Sequence, residues 1–196
     1  MIGARELTSS IYGAFRLAAL HGDGMEFFNR TPEGFWRSFF AAALVAPGYI
    51  AISLLDPDPA AFTSVHDAAV NGLAYVIGWV AFPIAVVPLV RMLDRGDRYI
   101  GYIVAYNWAA VPQMLLFAAA GIASRAMSLG PGGVEFLGIM AVVAVIFYYW
   151  FIARTALGVD GFAAAGVVVL DLALTMIISA VTGALTGAPV GAVIGQ

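Results

Sequence analysis

Asp171 is the side chain of this protein best placed to do chemistry. It stands about ten residues inside an apolar run, 162–185. At 1.5 Å per helical residue that is roughly 15 Å deep, near the middle of a bilayer. An ionisable group at that depth is costly to hold and marks proton relays, ion paths and ligand counter-ions. Thr175, Thr182 and Thr186 fall within about 60° of it on a helical wheel, with Ser179 beside them. Such a stripe must turn away from lipid. It could carry a proton, an ion or a solute, or it could be an interhelical hydrogen-bond seam, a common device in membrane bundles. Asn107, about eight residues into the run 99–123 and entering from the same side, has a matching depth and is the expected partner of Asp171. Gln113 shares another face of that run with Tyr99, Tyr102 and Tyr106. Pro112 removes a backbone hydrogen bond to Trp108 at mid-span, and Asn71, Pro83 and Pro88 add polar and broken points to the run 68–90. The expectation is an intramembrane polar cluster of Asp171, Thr175, Asn107 and Gln113.

Other chemistry finds no support. There is no cysteine, hence no thiol nucleophile, thiolate metal site or disulfide. No nucleophile elbow, zinc-protease helix or phosphate-binding loop is present, and the last needs a lysine this chain lacks. His21 and His66 are expected on opposite sides of the membrane. Asp56-Pro57-Asp58-Pro59 reads as a rigid acidic turn. No cofactor or metal is expected, and no basic stripe points to nucleic acid.

The elements that must position these residues are plain from composition. Hydrophobic residues make up 62% of 196, only 11% are charged, and mean hydropathy is +0.94. Soluble domains carry about 25% charged residues. Five runs, 35–55, 68–90, 99–123, 134–153 and 162–185, each reach the roughly 20 residues a spanning helix needs. They must be helices, because lipid offers no partner to open backbone groups. The expected fold is all-α: a polytopic bundle of five transmembrane helices over 35–186. A cytoplasmic segment 1–34 precedes it, and a short glycine-rich external tail 187–196 follows.

Orientation follows from the basic residues, all of which are arginine. Arg5, Arg16, Arg30, Arg37, Arg91, Arg95, Arg98 and Arg154 fall on one predicted side, and only Arg125 on the other. The positive-inside rule then puts the N-terminus in the cytoplasm and the C-terminus outside. Arginine without lysine, together with abundant alanine and glycine, points to a GC-rich bacterial genome and so to a cell inner membrane.

Within 1–34, Leu7, Ile11, Ala14, Phe15 and Ala18 share one helical face, opposite Arg5, Ser9 and Arg16. This predicts an amphipathic helix on the inner leaflet, or one packed on the end of the bundle. The first 34 residues lack the pattern of a signal peptide. Thr31 and Pro32 read as N-cap and first residue of a helix. Near the C-terminus, Gly183, Gly187, Gly191 and Gly195 recur every four residues, a spacing that lets helix backbones approach closely.

The five spans and their orientation, with Tyr102, Tyr106-Asn107-Trp108 ahead of Pro112 and Arg154-Thr155-Ala156-Leu157-Gly158 before Phe162-Ala163-Ala164, resemble the Yip family of Rab-GTPase-interacting membrane proteins and its bacterial relatives. The D-L-x-G-P and G-x-x-x-Y-G-x-S signatures of its eukaryotic members are missing, so Rab binding is not implied. The resemblance implies a non-enzymatic five-helix membrane module. The functional expectation is a structural or interaction protein whose partners are the lipid bilayer and a membrane protein or a second copy. A small transporter or channel working through Asp171 is the competing class. A water-wide cavity reaching Asp171 favours transport, and a packed, satisfied aspartate favours the scaffold.

Overall fold

The computed structural model describes residues 2–55 and 64–187, and every regular element among them is helical. In chain order these are α1 (Ala4–Ala18), a 3-10 turn Gly22–Phe27, α2 (Pro32–Ser38), α3 (Phe40–Leu55), α4 (Val65–Met92), a 3-10 turn Gly96–Arg98, α5 (Tyr99–Ala126), α6 (Pro131–Leu157) and α7 (Gly161–Thr186). Their ends follow from local chemistry. Thr31 caps α2 by accepting from the Gly34 amide at 3.1 Å, with Pro32 at the first position. Ser64 caps α4, and Asp160 caps α7 by accepting from the Ala163 amide at 2.8 Å. Gly158 ends α6 at φ 64°, where a Cβ would also fall on the Arg98 guanidinium, so this position needs glycine twice over.

Among the described residues four helices are long and apolar enough to cross a membrane: α4, α5 with the turn before it, α6 and α7. They contain four of the five expected runs and mark a multi-pass membrane protein. The remaining run, 35–55, is not one helix. It breaks at Phe39 into α2 and the 16-residue α3. At 1.5 Å per residue α3 spans about 24 Å, short of a hydrocarbon core of roughly 30 Å. The break sits at a polar joint between α2 and α5. The Ser38 hydroxyl turns back to donate to the Phe35 carbonyl at 2.7 Å and in turn accepts from Asn107 at 2.8 Å.

α5 is the central helix and packs on α1, α2, α3 and α6. α4 packs chiefly on α7, and α6 joins the two groups. Apart from Ser124, every buried residue of α5 lies from Gly101 to Pro112. Apart from Ala141, every buried residue of α6 lies from Tyr148 to Leu157. One end of the bundle is therefore dense, and α1 closes it.

α1 docks on a face shifted from the expected one. Ser10, Gly13, Ala14 and Leu17 are buried, Leu7 and Ile11 half-buried, and Phe15 and Ala18 exposed. The small residues decide this. A Cβ on Gly13 would come within 2.8 Å of the Gly24 carbonyl oxygen, so the 3-10 turn lies directly on the helix backbone. The buried Tyr148 hydroxyl donates to the Ala14 carbonyl at 2.8 Å. Glu6 accepts from Asn29 at 3.0 Å and from Arg37 at 2.9 Å, which ties α1 to α2. Arg16, expected on the free polar face, pairs with Asp23.

Candidate functional site: an intramembrane cavity beside Asp171

Asp171 faces the bundle from α7, and its Oδ1 accepts a hydrogen bond from the Tyr106 hydroxyl of α5 at 2.8 Å. Asn107 is not its partner. That side chain is fully buried on the other side of α5, with Nδ2 donating to Ser38 and Oδ1 left without a hydrogen-bond partner. Depth alone suggested the pairing, but Tyr106 and Asn107 are consecutive. Consecutive helical residues point about 100° apart, so when Tyr106 meets α7, Asn107 must meet α2. Gln113, seven residues after Tyr106 and so on its face, accepts from the Tyr149 hydroxyl of α6 at 2.6 Å. The Tyr106 and Tyr149 rings lie 5.1 Å apart, and Phe82 stacks on Tyr106 at 4.4 Å.

Beyond this aromatic pair opens a cavity of about 310 Å³. It lies between α4–α7 and α3–α5, with Tyr149 of α6 in its wall. Tyr106, Tyr149, Gln113 and Thr175 line it, with Ser179 and Thr182 continuing the α7 stripe. Tyr49 of α3 and Asn71, Tyr75 and Trp79 of α4 form the opposite wall. The volume matches the lower range of small-molecule sites, which combine an apolar lining with a few placed polar groups. Asp171 is not in the lining. It stands one turn before Thr175, held behind the wall by Tyr106. Thr175, an expected cluster member, does line the cavity and is exposed within the fold.

The polar cluster therefore divides. Asp171, Gln113 and Thr175 share the cavity region, and Asn107 belongs to the packed joint at Ser38. Of the expected packing glycines, Gly183 is buried in α7. Gly187 is exposed and caps α7 at φ 71°, a position for glycine by backbone conformation rather than by helix contact. Gly191, Gly195 and the Asp56–Pro59 turn lie outside the described residues. Sequence reasoning missed Tyr149, Trp79 and Tyr75 as site residues. The heptad relation of Tyr106 to Gln113 was the available signal for that wall. No group of three metal-ligating side chains occurs among the described residues. The chain matches no protein-family model, no curated protein and no solved structure.

Proposed function

We propose that this protein binds a small solute inside the membrane, in the cavity beside Asp171, and so belongs with transporters and channels rather than with enzymes. The observation that carries this reading is the cavity itself, lined by side chains that are costly to leave facing lipid. In the same reading, α2 and α3 take the run 35–55 across the bilayer as a fifth, broken crossing. The arginine distribution supports a cytoplasmic N-terminus and an external C-terminus in a bacterial inner membrane. The cavity, near the α7 C-terminus, then lies in the external half. The exposed Tyr12 and Phe15 of α1 contact the inner leaflet. The layout of Yip-like five-helix modules is compatible with this arrangement.

The scaffold reading has two observations in its favour: the cavity lining does not include Asp171, and its carboxylate is already engaged by Tyr106. In that case Asp171→Asn, which can still accept from Tyr106, leaves detergent stability and solute access alike unchanged.

The absence of cysteine makes the deciding experiment clean. Single Thr175→Cys, Ser179→Cys and Thr182→Cys variants in intact cells are treated from outside with a small, membrane-impermeant thiol reagent. Labelling at all three, with none at Val169→Cys on the exposed face of α7, is the expected result. Adding Gly78→Leu should suppress it. Gly78 lines the cavity, and a Cβ there meets nothing within 4 Å, so a leucine side chain starts in open space and takes up part of the cavity. Unreactive cysteines at all three positions overturn the solute-site reading.

A further inference from the structure

The geometry points to an organic cation of quaternary-ammonium type as the solute held in the cavity. This inference rests on the cavity's being a solute site.

Three observations on the lining carry it. First, the wall is rich in electron-rich rings: Tyr49, Tyr75, Trp79, Tyr106 and Tyr149 all border one space of about 310 Å³. Several aromatic side chains around one space of this size are the composition of sites that hold alkylated ammonium groups, because a ring's face carries the negative side of its quadrupole. Second, three of the four lining tyrosines turn their phenolic protons elsewhere. Tyr106 donates to Asp171 at 2.8 Å, Tyr149 to Gln113 at 2.6 Å, and Tyr75 to the Ala42 carbonyl at 2.7 Å. With its one proton committed to a fixed acceptor, each of these three tyrosines offers the cavity ring surface and oxygen lone pairs. Gln113, Thr175, Ser179 and Thr182 leave neutral donors in the lining, but among the described residues no arginine or histidine lines the space to balance an anion's charge. Third, a carboxylate stands one hydrogen bond behind the wall. A cation leaving water needs a compensating charge. Asp171, reached through Tyr106, supplies it from inside the bundle. A second wall group, Gln113, has its carbonyl oxygen turned to Tyr149 within the same cluster.

A primary ammonium would need hydrogen-bond acceptors on all its protons. A quaternary ammonium needs none, and its apolar shell suits a lining that is mostly ring and aliphatic surface. Size agrees too. A trimethylammonium compound with a short side chain fits the volume, whereas a long-chain amphiphile does not.

The test compares choline with its uncharged tert-butyl isostere, which has the same shape and hydroxyl without the charge. The Ser179→Cys protein, reconstituted at full length in lipid nanodiscs, is labelled by a small neutral thiol reagent in the presence of each probe. Choline should protect at a concentration about tenfold or more below that of the isostere, the ratio a desolvated cation–aromatic contact supplies. Adding Asp171→Asn should narrow that ratio without abolishing it, because the rings remain. The probe comparison needs no change at Asp171, so it stands even where that variant folds poorly. Equal protection by both probes, or better protection by the isostere, overturns the cation inference and leaves the solute site intact. Labelling that Gly78→Leu blocks but neither probe slows does the same. A Ser179→Cys that never labels removes the solute site, and the cation with it.

Discussion

The two ends of this bundle are built from similar residues and packed to opposite purposes. At the end closed by α1, Ala14, Leu17, Ile103, Ala105, Ala109, Ile152 and Leu157 are all fully buried, and Trp108 is 1% exposed. At the other end, Ile122 is 67% exposed, and the space between α4 and α5 is left as a cavity rather than filled. Both ends are rich in apolar helix surface, so hydrophobicity does not distinguish them. The difference lies in what is offered against α5. At the dense end the short helices α1 and α2 pack on it, and a 3-10 turn lies in turn on α1 where Gly13 and Gly24 meet. At the open end α4 leans on α7 and leaves α5 facing tyrosines across a gap. Stability is therefore concentrated at one end, and the freedom to admit a solute lies at the other.

The widest test of this contrast sets tryptophan against tryptophan. Trp108→Ala should lower unfolding stability in detergent by about 3–5 kcal/mol, the cost of an aromatic removed from a packed core. Trp79→Ala, at the cavity wall, should cost about 1 kcal/mol or less, as for a side chain already beside empty space. Equal losses, read by thermal or denaturant unfolding of both purified variants, would remove the distinction between the two ends.

Glycines sharpen it. Gly13→Leu must push the 3-10 turn away from α1 and should cost about 1–3 kcal/mol as overpacking, with α1 released to proteolysis. Gly78→Leu meets open space and replaces a poor helix former, so stability should hold or rise by up to about 1 kcal/mol. A destabilising Gly78→Leu would mean that the cavity is closed in the membrane.

The smallest effect belongs to the Arg16–Asp23 pair at the edge of the cap. The hydrogen bonds from Arg16 hold the Asp23 carboxyl below its usual range. A carboxylate with a lowered folded pKa contributes stability that is present above its unfolded value and lost as pH falls through the folded one. Protection of the α1 amides, taken relative to their intrinsic exchange rate at each pH, should therefore fall slightly on acidification below about pH 4, and Asp23→Asn should abolish that acid step. Both side chains are solvent-accessible, so salt should shrink the effect further. An acid response that survives Asp23→Asn would assign it to another group.

Much of the fold was legible because it is local. Apolar run length gave α4, α5, α6 and α7, since a helix in lipid has no alternative for its backbone. Thr31 with Pro32 gave the start of α2, because a cap is chemistry between near neighbours. The polar character of the α7 stripe was legible too, since Asp171 and Thr175 have no reason to face lipid. What the sequence could not determine was rotation and contact. Asn107 and Tyr106 sit at nearly the same depth, and only the packing of α5 against both α2 and α7 decides that Tyr106 takes the aspartate. The break at Phe39 depends on an Asn107 amide arriving from a helix 69 positions away to meet Ser38. The docking face of α1 depends on Gly13 meeting Gly24. Composition and period fix which residues must leave water, because that free energy is a property of each side chain and its nearest turns. Which of them meet, and where a gap remains, is set by how whole helices lean on one another, and that is decided only in the folded bundle.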